Sequence, residues 1–177
     1  MALSNDQTLP FDDSNPHIKK YIKQLSNPIL QRLFLLAKLP AAFFMGIKVR
    51  SIRPSQAKVT VPYAWRSQNP FKSTYFAAQA AAAEMSTGVL AMLALQGRGK
   101  ISMLITKMEA TYGKKATSTA TFTCLEGQKV IDAVQKAIET GEAQEVKMLS
   151  IGTQIDKNGQ EIEVSRFFFT WSFKAKK

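Results

Sequence analysis

Residues 74–95 read TYFAAQAAAAEMSTGVLAMLAL, a helix-length run that is apolar on every side, rich in alanine and charged only at Glu84. A helix apolar all round is wrapped by the rest of its protein. Glu84 is therefore expected in or beside a dry core, where a carboxylate is costly and its pKa rises. That makes it the first candidate for chemistry.

On the N-terminal side of this run, Asn15-Pro16 and Asn27-Pro28 each set a capping side chain before a proline at the first helical position, which predicts two short helices. The second, PILQRLFLLAKL, is followed by Pro40 and AAFFMG; with Arg32, Lys38 and Pro40 it is interrupted too often to span a membrane. It is expected to pack on the domain edge or line an apolar pocket. From Gly46 the period becomes two: Ile47 and Val49, then Ala57, Val59 and Val61, alternate with polar residues across a turn at Pro54-Ser55 and predict a hairpin. Residues 62–73 predict a loop into the helix, and Gly97 and Gly99 predict its end.

Beyond the helix, strands are expected over Ile101–Tyr112 and Ala116–Cys124, the latter with Thr117, Thr119, Thr121 and Thr123 opposite Ala120, Phe122 and Cys124. Gln128–Thr140 carries helical spacing and stops at Gly141; Ala143–Asp156 and Ile162–Lys174 form a last hairpin across Asp-Lys-Asn-Gly. The order is two strands, a long buried helix, two strands, a short helix and two strands. One antiparallel sheet wrapped around a helix satisfies it, an α+β layering.

The composition narrows the partners. At 177 residues the chain suits one domain, with residues 1–44 as an N-terminal helical extension and 45–177 as the main body. Its 24 Lys plus Arg against 13 Asp plus Glu leave a net charge of +11, which favours anionic partners. The cations are spread along the chain without a recognisable nucleic-acid module, so a phosphorylated small molecule is expected rather than nucleic acid, and no membrane insertion. The N-terminal MALSNDQTLPFDDSNP lacks the basic and apolar regions of a secretory signal, and Cys124 has no second cysteine, so a cytoplasmic setting is expected. His17, expected exposed, and Cys124, expected to be a buried thiol, cannot supply an ordinary zinc site, so no metal is expected; Gly97-Arg98-Gly99 lacks the spacing of a P-loop or dinucleotide fingerprint, and no cofactor is expected either.

The element order, with an apolar central helix bearing one acid, resembles the hot-dog fold, and in particular the branch related to phenylacetate-pathway acyl-CoA thioesterases. The matching stretch begins at Asn69 and reads NPFKSTYFAAQAAAAEMSTG: an asparagine in the preceding loop, a small polar pair, a helix start, an acid within the helix and a glycine four residues after it. Asn69, Ser73, Thr74, Glu84 and Gly88 are the matching positions. The resemblance implies a hot-dog domain with extra N-terminal helices, and an acyl-CoA thioester as substrate, coenzyme A entering only as part of it. It also implies a homodimer or dimer of dimers whose sites take the acid from one subunit and the helix start from the other.

In that scheme Glu84 activates water as general base or attacks the thioester carbonyl directly. The backbone N–H groups near Tyr75, Phe76 and Ala77, unpaired at the positive end of the helix, polarise that carbonyl. Asn69 orients the water or the acyl group, and Lys114, Lys115 or Arg98 are candidate contacts for coenzyme A phosphates. Where many relatives carry histidine and small residues, this chain has Tyr75-Phe76-Ala77, which keeps open a non-catalytic acyl-CoA or fatty-acyl binding protein on the same fold. Plainer readings stand beside these: Glu84 facing solvent or paired with Arg166, Asn69 as a turn residue, Ser73 or Thr74 as the helix N-cap.

Overall fold

The computed structural model describes residues 14–176, so the Met1–Asp13 part of the signal reading and of the N-terminal extension lies outside the described residues. Two helices open it, α1 (Pro16–Ser26) and α2 (Pro28–Lys38). Asn15 Oδ1 accepts from the His17 N–H at 3.0 Å, and Asn27 Oδ1 from the N–H groups of Ile29 and Leu30 at 2.9 and 3.1 Å. The expected Asn-Pro starts thus form as side-chain caps. The run after Pro40 forms a third short helix, α3 (Pro40–Met45), ended by Gly46 at φ 77°.

The remaining elements are β1 (Lys48–Arg53), β2 (Gln56–Val61), α4 (Phe76–Ala94), β3 (Ile101–Tyr112), β4 (Ala120–Cys124), α5 (Gly127–Thr140), β5 (Gln144–Ile155) and β6 (Glu161–Ala175). The strands form one six-stranded sheet in the order β1-β2-β4-β5-β6-β3, every pairing antiparallel. The sheet curls around α4, thirteen of whose nineteen residues are buried. This is the hot-dog arrangement. α4 alone among the described residues is long and apolar enough to cross a membrane, and here it is the core helix.

Close approach of sheet to helix is a consequence of side-chain size. Ala78, Ala82, Ala83, Ala91 and Ala94 are fully buried on α4, while bulk comes from the inward-facing alternate residues of β6, Phe167, Phe169, Trp171 and Phe173. Hydroxyl groups bridge the two layers. Ser86 and Ser150 share a hydrogen bond of 2.8 Å, Ser165 donates to Gln79 Oε1 at 2.9 Å, and Trp171 Nε1 donates to Thr87 Oγ1 at 3.0 Å. Buried polar atoms thereby find partners without opening the core.

Three local expectations need correction. β4 begins at Ala120 rather than Ala116, because the N–H groups of Thr117 and Ser118 go to Gln154 Oε1 at 2.8 and 3.1 Å instead of to a neighbouring strand. α4 begins at Phe76, and its N-cap is Tyr75, which caps through no side chain; Ser73 and Thr74 lie before it. His17 is half-buried, because its ring packs against Gly97.

The N-terminal helices are tied to the sheet edge by one buried side chain. Gln31 Nε2 donates to the carbonyls of Leu25 and Val49 at 2.6 and 2.8 Å, and Gln31 Oε1 accepts from the Val49 N–H at 3.2 Å. The amide thus occupies backbone groups that edge strand β1 would otherwise leave open, and welds α2 to it. Gln31→Leu strands an N–H and two carbonyls in a buried setting, which costs about 1–3 kcal/mol. We expect a lower urea midpoint and faster hydrogen exchange at Val49; unchanged exchange there would show that α2 is held by packing alone.

Candidate functional site

Along α4 the sheet leaves one line uncovered. Ala77, Ala80, Ala81 and Glu84 are half-buried, and their spacing places them on one helix face. Glu84 ends that line beside a small, mostly apolar cavity of about 60 Å³ that opens to the surface. From the core the cavity takes Met85, Gly88, Met103 and Trp171; from the N-terminal helices it takes Tyr21, Leu25, Phe34 and Leu35. The extension therefore closes the wall of the cavity that Glu84 faces.

Gly88 makes room for the carboxylate. A Cβ at this position would sit 2.9 Å from Glu84 Oε1 and 3.4 Å from Trp171 Cζ2, so the Glu84 side chain folds over its own next turn into space only glycine leaves free. The ring of Trp171 is held from behind by the hydroxyl of Thr87, which itself donates to the Glu84 carbonyl at 2.9 Å. Among the described residues the Glu84 carboxylate has no ion pair. The partner considered for it, Arg166, is engaged by Glu163 on the outer face of β6.

Desolvation with no compensating cation pushes Glu84 up from the ordinary 4.5 to about 7. Half the population is then deprotonated near neutrality, the state a general base requires. The Tyr21 hydroxyl is the second polar group on the wall. Tyr21 is 8% exposed, its hydroxyl oxygen has no hydrogen-bond partner among the described residues, and burial pushes its pKa upward, so it remains a proton donor. Neither its position nor its role was visible in the sequence; the signal available was a phenol in the otherwise aliphatic buried stripe Ile18, Tyr21, Leu25.

The other sequence-derived residues stand elsewhere. Asn69 is occupied by its own loop: its Oδ1 accepts from the N–H groups of Phe71 and Ser73 at 3.0 and 3.2 Å, and its Nδ2 donates to Ser73 Oγ at 3.1 Å. The Thr74 N–H donates to the Ala116 carbonyl at 2.7 Å, while Thr74 Oγ1 is buried without a partner. Tyr75 and Phe76 are exposed and meet edge to face with centroids 4.8 Å apart at the helix mouth. Ala77 follows in the first turn, where N–H groups have no intrahelical acceptor. Of the eight residues read from the sequence, the cavity brings together Glu84 and Gly88. Lys115 bonds the Phe71 carbonyl at 3.2 Å, Lys114 is exposed, and Arg98 is half-buried. Cys124 is buried, its thiol pushed up to about 12 by desolvation, and is inert as a nucleophile.

The raised Glu84 pKa makes stability depend on pH with a definite sign. Between the ordinary 4.5 and about 7 the native state binds the extra proton, so stability falls as pH rises across that window and the loss is complete above it. Glu84→Gln removes the charged form. We expect the variant to be the more stable protein at about pH 8 and to lose most of this decline, measured as urea midpoints at about pH 5 and about pH 8. The same pH slope in both proteins would locate the titration at another group.

The model of the family described as a domain of unknown function, DUF4442, matches residues 29–171. Among solved structures, the chain is similar to a Pseudomonas aeruginosa protein of unknown function and probable thioesterase, with 16% identity and a TM-score of 0.65 over 86% of this chain and 99% of that one. It is also similar to a thioesterase family protein of Silicibacter pomeroyi, with 11% identity and a TM-score of 0.57 over 84% of this chain and 98% of that one. A thioesterase of Haemophilus influenzae gives 13% identity and a TM-score of 0.51 over 80% of this chain and 87% of that one. No curated protein matches the sequence. Likeness at these identities carries the fold, while the family match runs from α2 to Trp171 on β6, and the chain belongs to the DUF4442 family.

Proposed function

We propose that the protein hydrolyses acyl thioesters, with coenzyme A as the natural carrier. The observation that carries this reading is a carboxylate without an ion pair, titrating near neutrality, on the wall of a largely apolar cavity. The apolar lining suits the first carbons of an acyl chain whose remainder lies outside the cavity, and a thioester carbonyl at its rim needs a base to deprotonate water and a donor for the oxygen on which negative charge develops. Glu84 supplies the first, as general base or by direct attack. The first-turn N–H groups of Phe76 and Ala77 supply the second; the Tyr75 N–H, also expected there, is given to the Ser67 carbonyl at 2.7 Å.

Those two parts do not meet within one chain. Eight residues separate Phe76 from Glu84, about 12 Å along a helix. A single carbonyl therefore takes its base from one subunit and its oxyanion donors from the other. The pairing edge for such a dimer is β3, which bonds only to β6 and exposes Leu104, Met108 and Tyr112 along twelve residues. Tyr75 and Phe76 at the helix mouth then lie at the subunit boundary and shape the way in. The Tyr21 hydroxyl donates to the bound thioester or to the attacking water, which ends the cost of burying it alone. A second reading, an acyl-CoA or fatty-acyl binding protein without turnover, draws on the exposed Tyr75 and Phe76 that narrow the helix start.

Release of coenzyme A thiol from short, long and aromatic acyl-CoA thioesters tests the proposal directly. Wild type is expected to turn over, with kcat/KM rising through about pH 7 as Glu84 deprotonates, and Glu84→Gln to lose roughly 10²–10⁴-fold while keeping its fold and assembly. Tight binding by both proteins without turnover would make this a binding protein. Mixing Glu84→Gln with Ala77→Pro, which deletes a first-turn donor where proline is tolerated, should restore activity through one rebuilt site per mixed dimer. Failure to restore it, with mixed dimers present, would refute the shared site. Tyr21→Phe is expected to be at least as stable as wild type yet slower, measured by urea midpoint and kcat/KM; equal kcat/KM would remove the hydroxyl from the mechanism.

A further inference from the structure

Only Gln31 and Leu35 are buried on α2, although the helix is mostly aliphatic. Ile29 is 70% exposed, Leu33 58%, and Phe44 on α3 64%, with Leu30, Leu36 and Leu39 also open. Monomer surfaces rarely carry a contiguous apolar patch of this kind without a use. The charge around it is equally one-sided. From residue 14 to residue 83 the sequence holds eleven Lys and Arg and no Asp or Glu; the carboxylates that precede Glu84, Asp6, Asp12 and Asp13, lie before the described residues. The cations border the patch: Lys20, Lys23 and Lys38 line a groove with Leu30 and Leu33, and Arg32, Lys48 and Arg50 line the adjoining cleft between α2 and β1. Among the described residues the ion pairs join Lys107 and Lys147 to Glu109, Lys129 to Glu126 and Arg166 to Glu163, and none of them involves the cations that border the patch.

We infer that the outer face of α2 and α3 docks on an anionic lipid bilayer, aliphatic side chains in the headgroup boundary and the surrounding cations on lipid phosphates. The two ingredients of interfacial binding are both here, a helix face of large apolar side chains and a ring of Lys and Arg. A second copy of the chain fits poorly, because a two-fold contact through this face sets like cations against each other, and among the described residues lining its grooves there is no carboxylate to separate them. Nucleic acid fits poorly too, because the centre of the patch is aliphatic and offers few rings for bases to stack on. Docking of this kind spans nothing: α4 stays in the core, and α2 lies along the surface. It also places the bilayer on the far side of the helix whose inner residues, Phe34 and Leu35, line the Glu84 cavity.

Co-sedimentation of the full chain with phosphatidylcholine vesicles, and with vesicles containing phosphatidylglycerol, tests this at low and physiological salt. We expect binding to the anionic vesicles, little to phosphatidylcholine alone, and weakening by salt. Ile29→Gln/Leu33→Gln/Leu36→Gln changes only exposed positions that do not line the cavity, and should weaken binding roughly tenfold or more. Lys20→Glu/Lys23→Glu/Lys38→Glu should abolish it. Circular dichroism and urea midpoints establish that each variant is folded. Absence of wild-type binding to anionic vesicles overturns the inference, as does unaltered binding by the Gln variant, which would reduce the effect to bulk charge. A Gln variant that changes oligomeric state while wild type ignores vesicles would assign the face to a second copy. Retention by RNA in place of vesicles would assign it to nucleic acid.

Discussion

The cost of keeping a carboxylate on an otherwise apolar helix organises this molecule. α4 has to be wrapped, and the sheet reaches it closely because the buried positions are alanine, serine, threonine and glycine. Each polar side chain under the sheet, Ser86, Thr87 and Gln79, is answered by a named partner across the layer. Glu84 is not answered by a cation. It sits at the end of the line Ala77, Ala80, Ala81, where cover by the sheet stops, and the missing side chain of Gly88 gives its carboxylate somewhere to go. Desolvation there is strong enough to move the acid toward neutrality and short of the full burial that would keep it protonated throughout.

The N-terminal helices set the degree of that desolvation. Gln31 fixes α2 to the edge of β1, and with α2 fixed, Leu35 and Phe34 close one wall of the cavity while α1 contributes Leu25 and Tyr21. The extension is thus part of the environment that tunes Glu84 rather than an appendage beside it. A buried phenol with no partner costs about 1–3 kcal/mol, and it persists on this wall where a phenylalanine would fill the same space. A ligand that accepted from it would turn that cost into binding energy.

Fold was legible in the chain because its signals are local and periodic. The all-round apolarity of residues 74–95, the alternation in FFFTWSF and the Asn-Pro caps each follow from side-chain patterns that need no knowledge of distant partners. Glu84 and Gly88 were legible for the same reason, being four residues apart on one helix. Tyr21 was not, since more than sixty residues separate it from Glu84 and only the docking of α1 brings it to the cavity. The helix start misled because two small hydroxyl residues precede it: Ser73 is taken up by Asn69, and the Thr74 backbone by Ala116, leaving Tyr75 to begin the helix without a side-chain cap. Asn69 shows the same limit from the other side, a polar residue whose pattern suggested chemistry and whose hydrogen bonds are used within its loop.

α2 has two faces with opposite demands. Leu35 and Gln31 look inward, one to a cavity that must stay dry for Glu84 to remain neutral half the time, the other to a strand edge that must stay bonded. Ile29, Leu33 and Leu36 look outward to nothing within the described chain. Aliphatic residues on the outer face contribute nothing to the dry wall, because the inner pair and α1 already supply it. Their retention on a short helix ringed by cations is a property of the outer surface in its own right. The same short helix thus carries an apolar outer face and, through Leu35, part of the wall that desolvates Glu84.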